Sequence, residues 1–228
     1  MTAPSSARDI HEVVSALDGI VEDCRGRGCR LGLFAALYRR VTVEVKGRLD
    51  KDQFVDPERM ERLDTAFANR YLDAYARHRR GERPSRAWAA AFAARDDDAL
   101  IVLQHLLLGM NAHILLDLGV TTAQIGRAHG DDGLRPDFDA INDVLADLVD
   151  EIQEEVGHGS RLVRGLDWLG GRLDEAVLGF GLAQARRRAW RHAVTLRGVP
   201  DRLAPRVVGR IDGRVAGTAA GILRPPLR

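Results

Sequence analysis

Residues Leu100 to Leu118 read LIVLQHLLLGMNAHILLDL, apolar on every side yet carrying Gln104, His105, Asn111, His113 and Asp117. A helix that is hydrophobic all round is a buried helix. Buried imidazole, amide and carboxylate groups are costly unless they find partners. The segment is therefore either a polar network that pins a core or the wall of a site. Successive helical residues rotate by about 100°. His113 and Asp117, four apart, share one face and can touch. Gln104 and Asn111, seven apart, share another. Asn111 and His113 point nearly opposite ways, so one pocket does not use all five residues.

A His–carboxylate pair suits acid–base chemistry or metal binding, because the carboxylate fixes the imidazole tautomer and raises its basicity. On that reading His113 is the base or ligand and Asp117 orients it. The plainer reading has His113 donate to a carbonyl and Asp117 cap a helix or pair with an arginine. Asn111 reads as an amide bridging two helices, His105 as a satisfied core histidine, and Gly109 as a place where the backbone of a crossing helix approaches closely.

Helical spacing dominates the rest of the chain. Ile10, Val13, Val14, Leu17 and Val21 form a stripe over 9–23, with Asp9 as its cap. A loop CRGRGCR leads to a helix over 31–48, which includes the β-branched run VTVEV. Asp56-Pro57-Glu58 starts a helix over 57–80, and Pro84-Ser85 starts a short one with Trp88 and Phe92. Asp96, Asp97 and Asp98 are expected at the positive end of the central helix. Gly119 is expected to end that helix, with loop or irregular structure over 119–135. Further helices are expected from Pro136 or Asp137, over 161–180, over 182–197 and over 201–223. No alternating β pattern or repeat emerges. The expected fold is all-α, one bundle of about eight helices around a buried central helix at 99–118. The expected organisation is a disordered stretch over 1–8, a single domain over 9–223 and a flexible tail over 224–228.

The chain has 34 basic and 33 acidic side chains among 228 residues, a net charge of +1 that gives no reason to expect nucleic acid as partner. The polar residues within the apolar run argue against a membrane span. The N-terminus MTAPSSARD lacks a charged-then-apolar signal, and a cytoplasmic location is expected. Cys24 and Cys29 read as two reduced surface thiols rather than a disulfide. Oligomeric state is left open.

Motifs for metals are absent as patterns: no Glu-x-x-His pair on two helices, no His-Glu-x-x-His and no adjacent His-Asp. No metal and no cofactor are expected, although a site built from His113, Asp117 and His158 or His192 is a rival. The run Asn142 to Asp150 departs from the terpene-cyclase magnesium motif at Ala146 and Asp150 and reads as a solvated acidic face. Arg186, Arg187, Arg188, Arg191 and Arg197 spread over a solvent face. Arg187, three before Trp190, is the one expected to be buried near it and to reach Asp117 or Asp137. No nucleophile elbow, Walker loop or dinucleotide fingerprint is present.

The stretch Gly109-Met110-Asn111-Ala112-His113-Ile114-x-x-Asp117-Leu118 resembles a family of uncharacterised, mostly actinobacterial helical proteins, a domain of unknown function. Phe34-x-x-x-Tyr38-x-x-x-Thr42, Phe67-Ala-x-Arg70-Tyr71-Leu72, Trp88-x-x-x-Phe92, Asp137-Phe138-x-x-Ile141-Asn142 and Arg187-x-x-Trp190-x-x-Ala193 also look like that family. The resemblance runs from about residue 10 to 197 and brings no known activity. It does point to Arg70, Tyr71, Asn111, His113, Asp117, Asp137, Asn142 and Arg187 as its polar pattern.

The expected function is that of a small-molecule enzyme of specialised or lipid-like metabolism. It would use acid–base chemistry on a small apolar substrate in a helical-bundle pocket, with His113 and Asp117 catalytic and Arg70, Tyr71, Asn111 and Arg187 binding substrate. The rivals are a non-catalytic helical binding or scaffold protein and a metal-dependent hydrolase.

Overall fold

Asp9, Asp56 and Ser85 each stand one residue before a helix, and each side chain accepts a first-turn N–H: from Glu12 at 2.8 Å, Arg59 at 2.9 Å and Trp88 at 3.3 Å. These caps satisfy donors that have no partner within the helix, and they fix three helix starts from sequence alone. The computed structural model describes residues 6–129, 133–157 and 175–223. Within them the helices are α1 (Ile10–Gly26), α2 (Leu31–Leu49), α3 (Pro57–Arg79), α4 (Arg86–Ala93), α5 (Val102–Ala112), α6 (Gly119–His129), α7 (Leu134–Gly157), α8 (Glu175–Arg197) and α9 (Ala204–Ile222). One turn of π-helix, His113–Leu118, joins α5 to α6 without a break. Counting that rod once gives eight helices, with no strand among the described residues. The fold is all-α.

The central rod is ringed by α2, α3, α4, α8 and α9. The expected stop at Gly119 is corrected: the helix runs on to His129, and its start is Val102 rather than 99. Gly119 instead serves close approach, because a Cβ there would lie 2.9 Å from the Ala189 carbonyl oxygen on α8. The acidic run is also corrected. Asp96 ends a short 3-10 turn, Asp98 pairs with Arg30 at 2.6 Å, and the first turn of α5 holds no acid. Gln104 takes over the capping role and accepts the Ile101 N–H at 3.1 Å.

Two amides set how α9 lies against α5. Gln104 Nε2 donates to the Ile222 carbonyl at 2.6 Å, and Asn111 Nδ2 donates to the Val215 carbonyl at 2.9 Å. Donors seven apart in ascending order meet acceptors seven apart in descending order, so the two helices run antiparallel.

The run VTVEV is helical, as expected, and Val45 belongs to the core. α7 begins at Leu134, so Asp137 lies inside it rather than capping it. Its carboxylate accepts the N–H groups of Val55 at 2.6 Å and Asp56 at 3.0 Å, tying the entry of α3 to α7. α8 passes through Gly179 and Gly181 as one helix. Order also starts before residue 9, since the Asn69 amide holds both the N–H and the carbonyl of the buried Ala7. Of the expectations, the tail 224–228, His158 and the stretch 161–174 lie outside the described residues.

The continuous helix Val102–Ala128 is long and apolar enough, by length and composition, to cross a membrane; 78% of its most apolar window is buried inside the protein, the pattern of a core helix.

Candidate functional site

The π turn carries both His113 and Asp117. Such single wide turns interrupt the regular hydrogen-bond ladder and recur at functional sites. His113 is 2% exposed, and five aromatic rings surround it. Phe67 stacks on its face at 3.6 Å between centroids and 8° between planes. Tyr38 meets it edge-on at 4.5 Å. Phe34, Trp88 and Tyr71 close the cage at 5.7, 5.9 and 6.0 Å. Gly109, one turn earlier, leaves the space that the Phe34 ring fills. The close backbone approach expected at Gly109 is thus corrected: the neighbour there is the Phe34 side chain of α2.

His113 Nδ1 lies 3.2 Å from Asp117 Oδ2. A carboxylate only accepts, so Nδ1 carries the proton and Nε2 is left as a bare lone pair. Burial pushes the imidazole below its ordinary value, Arg70 adds to that, and Asp117 opposes it. The ring is neutral and its Nε2 has no hydrogen-bond partner. The same holds for the hydroxyls of Tyr38 and Tyr71, whose burial pushes both phenols well above the ordinary tyrosine value. Three unpartnered polar groups therefore gather inside one aromatic cage.

Asp117 is also buried, with its charge fully engaged. Trp88 Nε1–H donates to Oδ2 at 2.7 Å and Arg70 Nε–H donates to Oδ1 at 2.9 Å. Asp117 thus pairs with His113, Trp88 and Arg70 together. Arg70 is the solvent-facing member, its side chain 31% exposed. It lines an open cleft of about 310 Å³ with Asn69, Asp73, Arg77, Ser85 and Trp88, and Asp117 lies at the same surface. The site therefore has a polar cleft outside, a buried ion pair in the middle and an aromatic cage within.

Asp64 was not singled out in the sequence. It sits on α3 three residues before Phe67 and seven before Tyr71, on the face that turns inward. Burial, then the charge of Glu61, pushes its carboxyl up to about 7, and its Oδ2 has no hydrogen-bond partner. Its charge acts on the Tyr38 phenol. An acid on the apolar stripe of an amphipathic helix was the signal available. Trp88 as a donor to Asp117 had no sequence signal, since an indole on a short apolar helix reads as core.

Of the expected binding residues, Arg70 and Tyr71 join His113 and Asp117, whereas Asn111 and Arg187 do not. Asn111 faces α9, as its angular offset required. Arg187 is exposed, which corrects the expected buried guanidinium. The buried one is Arg186, one residue and about 100° away. Its Nε–H donates to Asn142 Oδ1 at 2.8 Å, a second N–H donates to the Phe138 carbonyl, and the guanidinium lies 4.4 Å over the Phe138 ring. Burial lowers Arg186 to about 10. Arg135 and Arg197, not Arg187, stack on Trp190. Asp137 pairs instead with Arg59 at 3.7 Å.

Among the described residues, no three His, Cys, Asp or Glu side chains gather where they could hold a metal ion. His113 Nδ1 and Asp117 Oδ2 bond to each other, and His192 Nδ1 donates to the Leu115 carbonyl at 3.0 Å.

The same residues recur across the motifs that carried the resemblance: Phe34 and Tyr38, Phe67 with Arg70 and Tyr71, Trp88, then His113 and Asp117. A family model described as a family of unknown function, DUF5995, matches residues 10–225. The chain belongs to that family. No curated protein and no solved structure matches the chain.

Proposed function

We propose that this member of DUF5995 is a small-molecule enzyme working by acid–base catalysis, with His113 as the base and Asp117 as its orienting partner. The observation that carries this reading is the bare, unpartnered Nε2 of a neutral His113 whose other nitrogen is locked on a carboxylate. A positioned base of this kind contributes about 10²–10⁴-fold to rate. Asp64, its carboxyl pushed up to about 7, is the group suited to exchange a proton near neutral pH. The hydroxyls of Tyr38 and Tyr71 are donors for a polar group on the substrate. The rings suit an apolar or aromatic body, and Arg70 at the cleft suits a polar end. Reaching Nε2 from the cleft requires the Arg70–Trp88 side to open.

The test incubates the full chain with a pooled metabolite extract and follows depletion by mass spectrometry, alongside His113→Gln. The wild type is expected to consume at least one compound, and the variant to do so about 100-fold more slowly or worse while still unfolding cooperatively. No consumption by the wild type, or equal consumption by both, overturns the reading.

A second reading, a non-catalytic binding or scaffold protein, draws on the two amides that fix the register of α5 on α9. It expects His113→Gln to change stability and nothing else.

A further inference from the structure

The end of α1 brings the two cysteines together by a local backbone device. Gly28 is in the left-handed region at φ 62°. Its N–H bonds the Arg25 carbonyl at 3.2 Å, and the Cys29 N–H bonds the Cys24 carbonyl at 2.8 Å. These are the two bonds of a Schellman helix end, a motif in which the residues at the Cys24 and Cys29 positions characteristically touch. The helix end therefore sets Cys24 and Cys29 beside each other, both as free thiols. The sequence expectation of two surface thiols is therefore half right: Cys29 is partly exposed, whereas Cys24 is fully buried.

Their surroundings divide the roles. Cys29 lies two residues before the first residue of α2, Leu31, and Arg27 is nearby. Neighbouring Cys24, the start of α2 and the Arg27 charge hold the Cys29 thiol below the ordinary thiol value, against desolvation and Asp96. A helix N-terminus and a cation are what favour a thiolate. Neighbouring Cys29 and burial push the Cys24 thiol up. Its sulfur lies 3.5 Å from the Tyr75 hydroxyl, which donates to Asp23 Oδ2 at 3.0 Å. Arg27 and Arg79 also bond Asp23, so that carboxylate is neutralised beside the pair.

We propose that Cys24 and Cys29 form a thiol–disulfide exchange site for a low-molecular-weight disulfide, with Cys29 attacking and Cys24 resolving. The Cys29 thiolate attacks one sulfur of the substrate. A mixed disulfide forms as the substrate S–S bond breaks, and the first half leaves as a thiolate. Cys24 then loses its proton to water and attacks the Cys29 sulfur. The Cys24–Cys29 bond forms, and the second half leaves as a thiolate. The substrate gains two electrons and becomes two thiols, while the protein dithiol gives up those electrons. The backbone bonds of the helix end place both cysteines within one local turn, so closure needs no movement of α1 against α2. The site shares no side chain with the His113 cage, although Tyr75 beside Cys24 packs 6.3 Å from Tyr71 of that cage.

The test treats the reduced full chain with oxidised glutathione and maps the products by mass spectrometry. The wild type is expected to end as the intramolecular disulfide with release of reduced glutathione, with a rate that rises with pH as the Cys29 thiolate forms. Cys24→Ser is expected to stop at a glutathione adduct on Cys29, and Cys29→Ser to stay unmodified. A lasting adduct on the wild type, an adduct on Cys24 or no reaction overturns the proposal. Because Cys24 is buried, the wild type is also labelled with limiting iodoacetamide. Cys29 is expected to react first, and labelling of Cys24 first overturns the assignment even if the variants do not fold.

Discussion

The indole N–H of Trp88 donates to Asp117 Oδ2 at 2.7 Å, linking the short helix α4 to the π turn. It is the shortest of the three hydrogen bonds that engage this carboxylate. Trp88→Phe keeps a ring in the cage and removes the donor. Losing one partner of a buried charged group costs about 1–3 kcal/mol. Urea unfolding is expected to show a lower midpoint with an unchanged slope. A variant as stable as the wild type would mean that Arg70 and His113 alone satisfy Asp117.

Asp64 makes stability depend on pH. Its folded value of about 7 lies above the ordinary 3.8, because burial disfavours the charged form. For a raised value the stability is fully present below 3.8 and is lost as pH rises through about 7. The full loss is on the order of 4 kcal/mol. Asp64→Asn is expected to remove that slope, so that the variant gains on the wild type between pH 5 and 8 in thermal unfolding. Parallel curves for the two proteins would show that Asp64 does not titrate there. His113 acts in the opposite sense: its lowered value costs stability as pH falls below the ordinary imidazole range.

Gly109 is where the cage has no spare room. A Cβ there would overlap the Phe34 ring and sit 2.9 Å from Phe34 Cβ. Gly109→Ala is therefore expected to destabilise by about 1–3 kcal/mol, the usual cost of overpacking a well-packed core. Phe34→Leu in the same chain is expected to recover part of that loss, as residues in contact couple in a double-mutant cycle. Strict additivity of the two changes would place the strain elsewhere.

Residues differed in how far their roles were legible before the fold was known. Asp9, Asp56 and Ser85 announced their helices because a cap acts on an N–H three residues away. The opposed faces of Asn111 and His113 followed from helical rotation alone. Gly119 misled, because glycine commonly ends a helix; here the space it leaves is used by α8. Arg187 misled by a single step: adjacent helical residues are about 100° apart, and only the position of α7 decides which of them is buried. Asp64 was readable as an acid on an apolar stripe, but its elevated carboxyl depends on burial that no spacing reveals.

By itself the sequence determined the all-helical class, the starts of α1, α3 and α4 and the shared face of His113 and Asp117. Each of these rests on short-range geometry: a cap or an i,i+4 step. The tertiary structure decided that Arg70 and Trp88 share Asp117, that five rings enclose His113, and that Gln104 and Asn111 set α9 antiparallel to α5. The hydrogen-bonded partners among them lie between 29 and 118 residues apart along the chain. Their meeting is set by how the helices bury their apolar faces together, which no local pattern encodes.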